Sequence, residues 1–237
     1  MNIKRQLIDL WESDYINNLP IFIKERGFVL SENFDQKDIL ITGINPSFRK
    51  DADNGYYSFD FQDTLKEEKY DNYWGPIKKM LIDKEETIDL RNKTAYLDIF
   101  YFREKNQIRL KKEILNNHLG IKFLVDQLTI TQLTIENIIK PKLIIVKNKE
   151  SSAYWGKNSS QGIFWMGYKL KLIENLIFGD LFKIIGLEET NQRINLDIKE
   201  TKLLGCLVLF TEHITQYTKK DKRPTALILN QLLEKYE

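Results

Sequence analysis

The stretch ILITGINPS, residues 39–47, decides the fold that this sequence predicts. It opens as a continuous apolar run and then turns polar at Gly43, Asn45, Pro46 and Ser47. Continuous apolarity is typical of a parallel strand that is buried on both faces. Because ligands in such folds bind where the strands end, we interpret the polar turn as part of a functional site.

Three further segments read as strands, and they are residues 95–100, 142–147 and 205–210. Helical periodicity covers the windows 3–26, 74–82, 109–126, 133–139 and 224–236. This alternation predicts an α/β fold of three layers, in which a four-stranded parallel sheet lies between helices. The polar and glycine-containing sequence concentrates in residues 48–72 and 148–168, which we expect to be long functional loops.

The composition limits the class of protein. The 237 residues, 42% of them hydrophobic, predict one domain that spans residues 1–237. A net charge of +2 neither requires nor excludes a nucleic-acid partner. One cysteine and two histidines exclude a disulfide framework and argue against a metal cofactor. No run of about 18 apolar residues occurs, so we expect a cytoplasmic protein that does not enter membranes.

Two residues at strand ends carry candidate chemistry. The amide of Asn45 can hold a water through its oxygen and donate to a ligand through its nitrogen, although Asn-Pro-Ser is also an ordinary turn. His213 follows the fourth strand beside a basic segment, where it either polarises a ligand near phosphates or lies on a solvated surface. A helix that starts at Pro224 would offer free backbone N–H groups to an anion nearby.

Asp98 is a charge that interrupts an apolar strand. Its carboxylate is either paired with a cation such as Arg103 or directed at a ligand. In the loop after the first motif, Tyr57 and Phe59 either stack on a planar base or fill the core. These alternatives stay open at the level of sequence.

A segment with two lysines, Lys147 and Lys149, follows the third strand. These side chains are candidates for contacts with a nucleic-acid backbone. The alternative is an ordinary strand-to-helix connection in which Ser151 or Ser152 caps a helix that holds Trp155, and for Trp155 we favour this alternative.

Together these motifs resemble the uracil-DNA glycosylase superfamily, in its single-strand-selective and mismatch-specific branches, whose first motif reads Gly-Met/Ile-Asn-Pro. GINPS at 43–47 is similar to that motif, and YLD at 96–98 stands where the family ends its second strand with a base-reading Asn. GYYSF at 55–59 and NYW at 72–74 are similar to signposts of the mismatch-specific branch. HIT at 213–215 stands where the family has His-Pro-Ser, so the likeness covers nearly the whole chain.

The resemblance implies a parallel sheet of order 2-1-3-4 and a monomeric, cofactor-free DNA-repair enzyme that hydrolyses the N-glycosidic bond of a flipped-out base. Asn45 would position the attacking water, and neutral His213 would hydrogen-bond the departing base. The base pocket would be formed by Gly43, Ile44, Pro46, Ser47, Tyr57, Phe59 and Asp98. The DNA would be contacted by Thr215, Gln216, Tyr217, Lys219, Lys220, Lys222, Arg223, Lys147 and Lys149.

The chain departs from the family pattern in its base pocket. Asp98 replaces the Asn that reads uracil, and an ionised carboxylate can only accept hydrogen bonds. It matches two adjacent N–H donors, as on a guanine-like edge, so we hypothesise a substrate other than uracil. Ile214 replaces the loop proline, and Ser47 stands where the named branches usually have glycine.

Two other functions remain open. The chain could bind nucleic acid or a free base without cleaving it, as a binding or sensing module. It could also act on a nucleotide or nucleoside, with Asp98 and His213 as an acid–base pair.

Overall fold

The computed structural model describes residues 2–49, 51–68, 71–85, 87–212 and 214–235. The strands are β1 (Val29–Glu32), β2 (Ile39–Gly43), β3 (Tyr57–Asp60), β4 (Thr94–Asp98), β5 (Leu143–Val146), β6 (Tyr168–Leu176), β7 (Gly179–Leu187) and β8 (Leu207–Thr211). The helices are α1 (Ile3–Trp11), α2 (Ile21–Arg26), α3 (Phe61–Lys66), α4 (Trp74–Leu81), α5 (Gln107–Arg109), α6 (His118–Thr134) and α7 (Ala226–Lys235).

The central sheet has six strands in the order β4-β2-β5-β8-β7-β6. The first four are parallel, and they are the four strands predicted from the apolar runs. The prediction of four strands in total is wrong, because the antiparallel hairpin β6–β7 extends the sheet beyond β8. Most β6 side chains are at least partly exposed, so this strand lacks the continuous apolar run that identified the others.

Helices cover both faces of the sheet. Alternate strand residues such as Leu40 and Ile144 pack on one face, where α1 and α6 contribute to the core. Their neighbours Ile41 and Ile145 pack on the other face, against α4 and α7. This two-sided burial explains the apolar runs within β2, β4, β5 and β8.

Several predicted helices are interrupted. The window 3–26 contains α1, which ends at Trp11, then a 3-10 turn at Asp14–Asn18 and finally α2, which begins directly after Pro20. The window 109–126 breaks after a π-helical turn at Leu110–Ile114, and α6 starts anew with the Asn117 side chain accepting a hydrogen bond from Leu119 N. The last predicted helix is α7; its end at Tyr236 lies outside the described residues.

The two predicted loops contain more structure than expected. Residues 48–72 include β3 and α3, and β3 pairs in parallel with β1 in a small second sheet. Residues 148–168 form two short 3-10 helices, Lys149–Trp155 and Ser159–Gln161. Trp155 ends the first of these helices, where it is buried and stacks on Tyr168. Across the described ranges, every helix is too short or too polar to cross a membrane.

Candidate functional site

A cavity of about 480 Å³ opens at the carboxyl ends of β2 and β4. Five aromatic side chains line it, and they are Tyr57, Phe59, Tyr73, Trp74 and Tyr96. The polar lining includes Ser47, Arg49, Asp71, Asp98 and Arg103. The structure therefore brings together the predicted base-pocket residues Pro46, Ser47, Tyr57, Phe59 and Asp98.

Asp98 is the last residue of β4, and its partly buried carboxylate belongs to the cavity wall. Its Oδ1 accepts a hydrogen bond of 2.8 Å from the hydroxyl of Tyr96, which is itself hydrogen-bonded to the hydroxyl of Tyr73. Burial raises the pKa of Asp98 to about 6, although the positive charge of Lys147 and the Tyr96 hydrogen bond oppose the rise. The carboxyl group therefore changes charge just below neutral pH.

Gly43 makes this arrangement possible. A Cβ atom at Gly43 would lie 2.0 Å from Asp98 Oδ1 and 2.8 Å from the Tyr96 hydroxyl. A side chain of the neighbouring strand thus lies in the space that a side chain at position 43 would need. Ile44, the next residue, is buried in the core rather than in the cavity wall.

Asn45 is bonded to the segment that follows β4. Its amide nitrogen donates to the carbonyl oxygens of Pro46 (3.1 Å) and Glu104 (2.5 Å), and its Oδ1 accepts from Gln107 Nε2 at 2.7 Å. Only the second lone pair of Oδ1 is left for a water. The structure thus gives Asn45 a structural task, and its predicted catalytic task stays a prediction.

Arg103 fixes the opposite wall of the cavity. Its Nη1 donates to the backbone carbonyls of Arg26 (3.0 Å), Asp53 (2.7 Å) and Gly55 (3.3 Å). These bonds hold the loop before Tyr57 against α2. The cation for Asp98 that the sequence sought in Arg103 comes instead from Lys147.

Lys147 was predicted as a phosphate contact, but its position does not fit that role. Its side chain is 1% exposed, and the ammonium nitrogen lies 3.7 Å from the ring centroid of Tyr73. A buried ammonium that faces a ring cannot reach a DNA backbone on the surface. Burial lowers the pKa of Lys147 to about 8, opposed by the negative charge of Asp98.

A second cavity of about 540 Å³ lies near the ends of β5 and β8, and we call it the basic cavity because three lysines line it together with Glu150 and Glu212. Its lining contains five residues predicted to contact nucleic acid, and they are Lys149, Thr215, Tyr217, Lys219 and Lys222. Lys149 and Lys222 also line an adjoining cavity of about 250 Å³ beside the tip of the β6–β7 hairpin. The structure thus places these predicted residues around one surface.

The remaining predicted contacts differ in their surroundings. Lys220 is exposed, whereas Arg223 donates to the carbonyl oxygens of Gln216 and Thr218 and so holds the loop together. His213 lies outside the described residues. Within the part of the chain that the structure describes, no group of three His, Cys, Asp or Glu residues could hold a metal ion.

Sequence reasoning missed Tyr96 and Tyr73 as members of the site. Tyr96 and Asp98 are two residues apart on one strand, which places both on the same face, and this signal was available. The contribution of Tyr73 depends on how α4 packs, which no local pattern shows. No protein-family model, curated protein or solved structure matches the chain.

Proposed function

We propose that the aromatic cavity holds a nucleobase extruded from nucleic acid and that the protein excises this base from DNA by hydrolysing its N-glycosidic bond. The observation that carries the proposal is the Asp98 carboxyl group in the wall of a cavity lined by five aromatic rings. Rings supply a stacking surface for any base, and the carboxylate supplies selectivity.

The cavity suits a base in size and chemistry. Its volume of about 480 Å³ lies within the usual range for small-molecule sites, about 300–1,000 Å³. Tyr57 is 59% exposed at the cavity, so its ring is available for stacking. An ionised Asp98 pairs best with two adjacent N–H donors, as guanine presents, and it repels the carbonyl oxygens of uracil.

Two features of the fold support a glycosylase-like protein. The four parallel strands lie in the sheet in the order β4-β2-β5-β8. If they are numbered 1 to 4 along the chain, this order is 2-1-3-4, as the resemblance implies. The basic cavity and the aromatic cavity both lie at the carboxyl ends of the parallel strands. In the basic cavity, Lys149, Lys219 and Lys222 would contact phosphates.

The proposed reaction assigns two roles by resemblance. Asn45 would hold the attacking water through the free lone pair of its Oδ1, and His213 would hydrogen-bond the base as negative charge develops on it. Asp98 would hold the base during the reaction.

A base-release assay tests the proposal. Single- and double-stranded oligonucleotides that carry guanine, xanthine, hypoxanthine, uracil or mismatched thymine are incubated with the protein, and abasic sites are scored by alkaline cleavage. We expect release of a base with two adjacent donors, lost in Asn45→Ala, His213→Ala and Asp98→Asn. The matched control is Asp197→Asn, an exposed residue between β7 and β8, which should leave release unchanged. Release of uracil alone would contradict the role of Asp98.

One observation favours a second candidate function. Because the amide nitrogen of Asn45 is bonded to backbone carbonyls, the chain could bind a base without catalysing its release. In that case every oligonucleotide stays intact while Asp98→Asn still weakens binding. If the wild-type protein neither releases a base nor binds any oligonucleotide, both functions are rejected.

A further inference from the structure

Lys147 continues β5 by one residue and lies level with the ends of two other strands. Its backbone N–H donates to Thr42 O at 3.1 Å, and Gly43 pairs with Asp98. Asp98, Gly43 and Lys147 thus stand side by side on β4, β2 and the end of β5. Two strand spacings separate the outer two, roughly 10 Å between backbones. Because the middle residue has no side chain, the outer two can extend toward each other above it.

The ammonium group of Lys147 is isolated from water. Its nitrogen is buried and has no hydrogen-bond partner within the described ranges. Its neighbours are the rings of Tyr73, at 3.7 Å, and Tyr96, at 5.4 Å from the ring centroids. Cation–π contacts return only part of the hydration that a buried ammonium loses. An apolar side chain would fill this place at lower cost, so the charge itself needs an explanation.

The explanation lies in the neighbouring carboxylate. Asp98 has one oxygen bonded to the Tyr96 hydroxyl, and Tyr96 also contacts Lys147 through its ring. The other ionisable or charged groups around the cavity are Tyr57, Tyr73, Arg49, Arg103, Asp71 and Glu67. Arg49 lies 3.8 Å from Asp71, and Nη1 of Arg103 is bonded to backbone carbonyls, so Lys147 is the cation that acts on Asp98 from within the sheet.

We propose that Lys147 is the positioning residue that keeps Asp98 ionised and thereby selects bases with two adjacent N–H donors. The inference rests on the proposed function, because it concerns base selection in the same cavity. When Asp98 is ionised, it accepts from both the N1–H and the 2-amino group of guanine. When Asp98 is protonated, one of its oxygens becomes an O–H donor and no longer accepts a hydrogen bond from an N–H group. The 2-amino group then adds nothing to the affinity for the base.

The test compares two bases that differ only in the 2-amino group. Single-stranded oligonucleotides with one central guanine or one hypoxanthine, otherwise thymine, are titrated against the protein between pH 5 and pH 8. We expect wild type to prefer guanine about 10-fold at pH 8, since one additional charge-assisted hydrogen bond has about this effect. The preference should vanish as the pH falls through about 6.

Two variants isolate the charge of Lys147. In Lys147→Met, whose unbranched side chain is one heavy atom shorter, the guanine preference should require a higher pH than in wild type, because the carboxylate has lost its counter-charge. Lys147→Arg retains the charge and should restore the wild-type pH profile at least in part. An unchanged profile in a folded Lys147→Met protein would overturn the proposal.

A measurement without nucleic acid separates this inference from the proposed function. The chemical shift of the Asp98 carboxyl carbon is followed by ¹³C NMR as the pH of the free wild-type protein is changed. This measurement does not require any variant to fold. We expect a midpoint near pH 6 and a second response when Lys147 loses its proton. Normal titration of Asp98 near pH 4 with guanine still bound would overturn only the inference. Coupled titration without binding of any oligonucleotide would overturn base selection and the proposed function together.

Discussion

At the scale of single residues, the site is built around two opposite charges, a buried ammonium group and a partly buried carboxylate in the cavity wall. Asp98 and Lys147 are held on either side of Gly43, and the rings of Tyr73 and Tyr96 cover Lys147. Buried pairs of this kind often stabilise a protein less than apolar residues of the same size would. We therefore expect this pair to serve binding at the expense of stability.

The double variant Asp98→Asn/Lys147→Met tests this expectation. Removing both charges should leave the free energy of unfolding at pH 7 unchanged or raise it by about 1–4 kcal/mol, while base binding is lost. Lys147→Met alone should lower it by less than the roughly 3 kcal/mol of a fully buried ion pair, because the carboxylate loses its counter-charge but is only partly buried. Urea denaturation at constant pH measures both. A double variant less stable than either single variant would contradict the account.

The pH dependence of stability has a definite sign. The folded-state pKa of Asp98 is about 6, above the ordinary 3.8, so its contribution to stability is present below pH 4 and lost as the pH rises through 6. The pKa of Lys147 is about 8, below the ordinary 10.5, so its contribution is lost as the pH falls through 8. The gain in stability of the double variant over wild type should therefore be largest between pH 6 and pH 8. Melting temperatures across pH 4–10 would show it, and a flat difference would argue against the pair.

The variant Gly43→Ala tests whether the Asp98 carboxylate needs the space that the missing side chain of Gly43 leaves beside β2. The new methyl group would overlap Asp98 Oδ1, so we expect at least about 10-fold weaker base binding and a loss of about 1–3 kcal/mol in stability. Gly162→Ala is the control: its φ is +77° and its surroundings are open, so it should lower stability without changing base affinity. Equal effects of both variants on binding would mean that Gly43 has no special role.

Sequence reasoning located Asp98 but misplaced Lys147, for a physical reason. A charge inside an apolar strand must be compensated, so Asp98 stands out locally. A lysine just after a strand is normally exposed, and its burial here depends on Tyr73, which belongs to a distant segment. Likewise, the bonds that occupy Asn45 come from residues 102–107, far along the chain.

At the scale of elements, the carboxyl ends of the parallel strands collect the polar loops. The turn after β2 lines the aromatic cavity, and the segments after β5 and β8 line the basic one. β8 lies three strand spacings from β4, roughly 14 Å, so the two cavities are separate but neighbouring. A nucleic-acid strand that crosses this edge would contact both.

Lysine substitutions in the basic cavity test that crossing. Lys149→Ala and Lys222→Ala should each weaken binding to all sequences equally and reduce the slope of log K against log salt by about 0.7 for single strands. The control Lys93→Ala removes an exposed lysine just before β4, at the amino ends of the parallel strands. Salt titrations of binding decide the matter, and the account would fail if Lys93→Ala had the same effect.

The elements predicted best are those whose burial is uniform. β2, β4, β5 and β8 were found close to their observed bounds because both faces are covered. The hairpin β6–β7 was missed because it forms the outer edge, where its side chains alternate irregularly between core and solvent and its pairing contains bulges. The separate start of α2 directly after Pro20 is a local signal that the apolar periodicity concealed.

At the scale of the whole molecule, the proposed site for the base and the proposed contacts with the nucleic-acid backbone both lie at the carboxyl ends of the strands of a single sheet. Helices cover both faces of that sheet, so its carboxyl edge is the place where loops can form cavities. The central claim is that a base from nucleic acid enters the aromatic cavity beside Asp98.

Photocrosslinking tests this claim most directly. A single-stranded oligonucleotide with one 6-thioguanine, which keeps the N1–H and 2-amino donors, is irradiated with the protein, and the modified peptide is mapped by mass spectrometry. We predict crosslinks to Tyr57, Phe59, Tyr73, Trp74 or Tyr96, with a lower yield in Asp98→Asn. Crosslinks confined to other surfaces, such as exposed Tyr217 in the basic cavity, would contradict the claim.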